Sequence, residues 1–488
     1  MNREERESQE NILRISHVIS NAYQLGKAHK TDEAYETLRP CLERDEVPTF
    51  FCEPAGWTIY RFVKEKLSTL LPTQAKDIFG YYLHFCAHKP DMVHSYMLLL
   101  AMSYKKLHMQ EFPFADFCRA WGLTCFRDED YVATKGTSVD GKPVVFQSLA
   151  VRAATLLYKE LKGTQSPQLA TEFLPFFATV LQRCPDYEFT PLYIANLYAW
   201  QGDKDTAIRM FKKMLIDNQQ WYVWKHLGDL MEEDIRLSCY CKALTLMDKE
   251  EYIGEIHLAL ASMLINSHPE QAAYELQAYV NTYQRNGWRI KAVAYELRKQ
   301  LVSAVPSHDG KAFYGQHTTV AEDFVYGDYP KAELVFNGIK PNVKGKARAC
   351  LSNHKKYLFA RVPPTPLLKK AREGEVFLCR YIAVKGHVTL LTIQTTGKHI
   401  NTPGTHPTKN HSPYSGNNPS VKPTTDDGRV VEGKVRAKAG QPFAFLDRYY
   451  ISPRLRQSCG LVDGQKVKAV VVQQQDGRWG VTKILSTT

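Results

Sequence analysis

The sequence lacks most of the marks of an enzyme, an exported protein or a membrane protein. Its 488 residues hold no GxxxxGK[ST] phosphate loop, no GxGxxG turn, no HExxH pair and no GxSxG elbow. No run of about 18 apolar residues is present, which excludes an ordinary membrane-spanning helix. Met1 to Glu10 is polar and acidic, without the basic start and apolar stretch of a secretion signal, so the expected location is the cytoplasm, away from membranes. The eleven cysteines are scattered and form no CxxC pair. Cys239 and Cys241 lie closest, but two residues apart on a helix they face different ways. A zinc ribbon or disulfide framework is therefore not expected, and the cysteines read as small apolar residues. Asp128-Glu129-Asp130, Asp426-Asp427 and the pair His84 and His88 read as surface features without a further ligand at a working spacing. Neither a metal, a cofactor nor a catalytic residue is expected.

Positive charge is present but unevenly placed. The formal net charge is +12. From Val305 onward there are 28 Lys+Arg against 13 Asp+Glu, whereas the first 304 residues hold 35 against 38. The excess thus sits in the last third, as for a polyanion-binding module attached to a near-neutral body.

The first 304 residues read as helical, with sparse glycine and proline inside apolar-periodic segments. Ala195 and Tyr198, the turn Gly202-Asp203, then Ala207 and Phe211 fit two helices packed closely through small residues. Trp224, Leu227, Gly228, Tyr240 and Ala243 follow the same offsets, as do Ala261, Leu264, Ala272 and Leu276, and near the start Ala22, Leu25, Ala34 and Leu38. These offsets are similar to those of tetratricopeptide (TPR) repeats, which implies an irregular α-solenoid with a surface for a protein partner. Trp200, Trp221, Trp224 and Trp288 read as packing residues. A turn at Val139-Asp140-Gly141-Lys142 between β-prone flanks predicts a hairpin inserted near residues 131–147.

Beyond 304 the pattern alternates. The reading divides it into a β domain at 305–397, a flexible linker at 398–427 rich in Thr, Pro, Asn and Gly, and a second β domain at 428–488. In the second, Val431–Val435 opens a strand, Phe443-Ala444-Phe445 puts two rings on one face, and Arg448-Tyr449-Tyr450 follows. A turn at Asp463-Gly464-Gln465-Lys466-Val467 and a last strand after Gly477 complete the set. Residues two apart on a strand share a face, so Phe443 and Phe445 point together. If outward, with Tyr449 or Tyr450 beside them, they form a stacking platform for bases. Lys434, Arg436, Lys438, Arg448, Arg454 and Arg456 are the expected phosphate contacts. In the first β domain, Gly345–Ala349 opens a strand, Lys355-Lys356-Tyr357-Leu358-Phe359 supplies the paired aromatics, and Glu373-Gly374-Glu375-Val376 makes the turn. Pro363-Pro364-Thr365-Pro366 stands where an aromatic third strand is expected, and Phe313–Phe336 adds a strand or a cap.

This order resembles the S1 or cold-shock type of OB barrel, with its F-x-F second strand, aromatic third strand and G-Q-x-V turn. The whole, helical repeats then two such barrels, resembles the repeat-plus-OB proteins of bacterial TOTE-type conflict systems. The resemblance implies a non-enzymatic adaptor: the barrels bind single-stranded DNA or RNA, and the repeats recruit a protein such as a helicase or nuclease of an anti-invader defence system. Three alternatives stand beside it: a protein scaffold without nucleic acid, an RNA-binding regulator of translation, and a nuclease without a recognised signature.

Overall fold

The structure is a computed structural model. It describes all residues except 1–2, 88, 139, 342–346, 354–355, 362–367, 369, 385–386, 401–428, 438–442, 448, 474–478 and 488; some side chains within helices and strands, Lys356 and Arg454 among them, are also outside the description. The chain divides into two compact units, Met1–Thr402 and Pro403–Thr488.

Helices fill the first unit from Arg3 to Tyr326. Helix–turn–helix pairs recur, as in Thr190–Trp200 with Lys204–Asp217, Trp221–Asp229 with Glu233–Leu246, and Glu250–Leu264 with Pro269–Arg285. Asp203 starts its helix by accepting a hydrogen bond from Thr206 N at 3.0 Å, satisfying one of the unpaired amides of the first turn. The residues at the repeat offsets, Ala195, Ala207, Phe211, Trp224, Leu227, Ala243, Ala261, Ala272 and Leu276, are buried. Gly228 shows why a small residue is needed. A Cβ there would stand 3.0 Å from both the Cys239 Cβ and the Tyr240 ring, so the two helices touch through it. A two-stranded antiparallel hairpin, β1 (Thr134–Thr137) and β2 (Pro143–Phe146), interrupts the helices.

The helical body runs further than the sequence reading allows. Residues 305–330, assigned to the first β domain, contain the helices Gly310–Gln316 and Thr319–Tyr326 instead. Tyr326 is buried, donates to Leu215 O at 3.1 Å and meets Trp224 edge-on. Glu322 pairs with Lys242 at 2.5 Å. The aromatics there are core residues of the helical body rather than strand residues.

A closed five-stranded barrel follows: β3 (Lys331–Pro341), β4 (Ala347–Asn353), β5 (Lys356–Arg361), β6 (Glu375–Val384) and β7 (His387–His399), joined in the order β3-β4-β5-β7-β6. Leu334, Phe336, Leu351, Ala360, Phe377 and Val388 fill it. The barrel is built onto the helices. Leu391 of β7 is buried in the helical core, and Gln219 Nε2 donates to its carbonyl at 2.6 Å. Arg380 of β6 pairs with Asp323 at 2.8 Å and donates to the carbonyls of Gly327 and Tyr329.

The second unit holds another closed barrel: β8 (Arg429–Arg436), β9 (Ala444–Leu446), β10 (Tyr449–Ile451), β11 (Lys466–Gln473) and β12 (Trp479–Thr487), with a short helix Pro453–Ser458 after β10. Its strand order is β10-β12-β11-β8-β9, so in both barrels the first strand pairs with the second and fourth, and the third runs parallel to the fifth. The expected linker, apart from 398–400 at the end of β7 and just beyond it, lies outside the described residues.

Candidate nucleic-acid interface

The second barrel carries the site. On β9, Ala444 and Leu446 are buried in the core, so Phe443 and Phe445 lie on the outside. Tyr450 stands opposite Phe445 on β10, and Arg436 stands opposite Phe445 on β8. One row across three strands therefore reads Arg436, Phe445, Tyr450. Phe445 and Tyr450 are 39% and 38% exposed, high for large rings on a folded barrel. The three rings form one cluster, with centroids 5.8 Å apart for Phe443–Phe445, 5.9 Å for Phe443–Tyr450 and 6.0 Å for Phe445–Tyr450. Edge-on and tilted geometries leave ring faces open to a planar ligand. Of the two tyrosines, Tyr450 joins the cluster; Tyr449 is partly buried and packs against the core.

The turn that brings β9 back as β10 passes through Asp447 in a left-handed conformation, φ 54°, which aspartate tolerates better than most residues. Its carboxylate lies over Gly433 of β8, where a Cβ would be only 2.6 Å from Oδ2. Gly433 thus lets the aromatic hairpin close against the first strand.

The expected basic residues have different fates. Lys434 and Arg436 are exposed on β8, on the outward face. Arg456 is turned to another use. Its guanidinium donates to Phe443 O at 3.1 Å and to Leu461 O at 3.5 Å, so it braces the backbone of the ring cluster. Lys438 and Arg448 lie outside the described residues, as does the side chain of Arg454. Two lysines missed by the sequence reading join the face: Lys466 opposite Lys434, and Lys468 opposite Glu432, all exposed. Their signal was the alternation Lys466-Val467-Lys468-Ala469, with valine and alanine inward. Lys434 and Lys466 put like charges directly across from each other, a small cost to folding that an anion would relieve.

The first barrel departs from its expected register. Lys356–Arg361 is its third strand, not its second, because β3 opens the barrel ahead of the strand assigned that place. Tyr357 and Phe359 are exposed, 56% and 41%, but neither meets another ring among the described residues. Lys355 and the segment 362–367, with its prolines, lie outside the description; β5 includes Lys356.

The helical body contains a second polar constellation, buried rather than open. His257 lies between Glu275 at 2.5 Å and Glu250 at 3.0 Å, and Gln271 Nε2 donates to Glu275 at 2.6 Å and to Gly310 O at 3.2 Å. Burial would push the imidazole pKa down, but the two carboxylates overcome it and raise the value to about 9. A charged histidine with no access to solvent suits a structural staple. Elsewhere, Asp130 is held by Ser95 and Arg127, Asp128 by Arg183, and His84 by Asp45. Among the described residues no group of three or more His, Cys, Asp or Glu is arranged to hold a metal, and no helix is long and apolar enough to cross a membrane.

Comparison with known proteins adds little chemistry. No curated protein matches the chain. A de novo designed helical repeat protein is similar at 13% identity over 60% of this chain and 97% of its own, with a TM-score of 0.09, which is too slight to carry any argument. A family model described as a domain of unknown function (DUF7017) matches residues 188–321. That segment takes in the helix pairs from Thr190 onward and the His257 staple, and it ends before either barrel begins.

Proposed function

We propose that the protein is a non-catalytic nucleic-acid-binding adaptor. The second barrel, read as an OB fold of the S1 or cold-shock type, holds single-stranded DNA or RNA. The helical body, read as an irregular TPR-like solenoid, recruits a protein partner. A bacterial anti-invader system, with a helicase or nuclease as that partner, is the setting suggested by the sequence resemblance alone.

One observation carries this reading: three outward rings, Phe443, Phe445 and Tyr450, share a face with Arg436 in register and Lys434 beside it. Exposed rings on adjoining strands offer flat apolar faces to bases, worth about 1–3 kcal/mol per stacked base and tolerant of sequence. The second and third strands are the side on which barrels of this topology receive oligonucleotides. The cations supply the phosphate contacts, whose counterion release makes affinity fall with salt.

The test is fluorescence anisotropy of the full chain with labelled single-stranded DNA, single-stranded RNA and duplex across a salt series. The reading expects single strands to bind best, with log K falling linearly against log salt. No binding at low salt would leave the protein-scaffold alternative in front. A strong RNA preference would favour the RNA regulator, since the 2′-hydroxyl distinguishes the two ligands.

A further inference from the structure

We propose that the helical body carries its own surface for single-stranded nucleic acid, on the helices Arg3–Lys27, Cys52–Lys66 and Met92–Leu107. It uses a separate set of residues and does not depend on the barrel site.

Trp57, Tyr60, Arg61 and Lys64 recur at helical spacing and share one face of the helix Cys52–Lys66. The neighbouring helices bring Tyr23, Lys27 and Tyr96 to the same face. Trp57 and Tyr60 have ring centroids 5.5 Å apart at 88°, Tyr60 stacks on Tyr96 at 5.5 Å and 24°, and Trp57 meets Tyr96 at 5.9 Å. The Arg61 guanidinium lies 4.9 Å from the Tyr23 ring centroid and 5.6 Å from that of Trp57. Lys27 is 5.7 Å from Tyr23, and Lys64 is 5.9 Å from Tyr60. All four rings remain partly exposed, and both lysines are exposed.

Packing between helices accounts for partly buried rings. The cations lie over ring faces rather than against carboxylates, so their charge is left unneutralised. Nearby cations have carboxylate partners: Arg14 with Glu46, Lys30 with Glu33, Arg39 with Glu36, Lys66 with Asp32. Among the described residues Lys27, Arg61 and Lys64 have none, and Arg61 Nη1 is buried without a hydrogen-bond partner. Three unneutralised cations set among four ring faces match a ligand that is both anionic and planar. A single nucleic-acid strand offers phosphates to the cations and bases to the rings. An acidic peptide would use only the cations, so the rings favour nucleic acid.

The experiment photocrosslinks full-length protein to an iodouracil-substituted single-stranded oligonucleotide and maps the adducts by mass spectrometry. Adducts are expected within residues 52–66 as well as near Phe445. The double variant Lys27→Ala/Lys64→Ala alters only exposed side chains, so a native far-UV spectrum is expected. It should lower the yield of the 52–66 adduct about tenfold at low salt while keeping the adduct near Phe445. Adducts confined to the second barrel, or an undiminished 52–66 adduct in a folded double variant, would overturn the proposal. Polyglutamate competing for residues 52–66 as well as unlabelled oligonucleotide does would overturn the choice of ligand. Adducts at 52–66 with none near Phe445 would uphold this surface and overturn the barrel reading.

Discussion

The His257 staple makes the stability of the helical body depend on pH in a defined direction. In the folded chain the imidazole is held protonated by Glu250 and Glu275, with a pKa of about 9. In the unfolded chain it titrates near 6.5. At 1.36 kcal/mol per pH unit the difference is worth about 3 kcal/mol. Because the folded pKa is the higher one, this contribution is whole below about pH 6.5, drains as pH rises toward 9, and is absent above it. The hydrogen bond from His257 also holds the Glu250 carboxyl below its ordinary range. That second contribution has the opposite sense: it is present above the ordinary carboxylate range and lost as pH falls through the depressed value. Helical stability should therefore be greatest between about pH 5 and 6.5. The assay is urea unfolding of the full chain followed by the helical far-UV signal between pH 6 and 9.5, for the wild type and His257→Gln. The wild type should lose about 3 kcal/mol relative to the variant across that range. Parallel curves for the two proteins would refute the reasoning.

Four further substitutions have defined outcomes. Arg456→Ala should weaken oligonucleotide binding by loosening the Phe443 backbone while leaving the salt slope unchanged, whereas Lys434→Ala should lower the slope by about 0.7 for a single strand, both read by anisotropy. Arg380→Met removes the pairing with Asp323 and two carbonyls, and should cost about 1.5–3 kcal/mol and open the segment 327–331 to limited proteolysis. Gly228→Ala forces a methyl against Cys239 and Tyr240, and should destabilise the helical body by about 1–3 kcal/mol in the same urea assay.

The second barrel was legible because its alternation is clean. Phe443-Ala444-Phe445-Leu446 can put small and aliphatic residues inside only by putting both rings outside. The first barrel was harder for a physical reason. Its opening strand β3 carries a bulge between Phe336 and Ile339, with Gly338 at φ 85°, and the bulge breaks the period of two. Alternation alone therefore begins the barrel at β4 and sets Tyr357 and Phe359 on a second strand, whereas they stand on the third. Phe313, Tyr314, Phe324 and Tyr326 misled in the other direction. Their composition suits a strand, but packing against Trp224 and the surrounding helical core makes them helical. Arg456 could not be assigned from sequence, because an arginine that braces a carbonyl and one that awaits a phosphate look the same. The Tyr23, Trp57, Tyr60 and Tyr96 face was equally hidden, since its members come from three helices far apart in the chain.

The central claim is that the outward rings of the second barrel hold the bases. It is tested most directly by equilibrium binding of a labelled single-stranded oligonucleotide to the full chain and to its Phe445→Ala/Tyr450→Ala variant at one fixed salt concentration. Both rings face outward, so the variant should keep its fold. Loss of two stacking faces predicts a weakening of at least about 2 kcal/mol, roughly thirtyfold in Kd. Equal affinity for the two proteins would contradict the account.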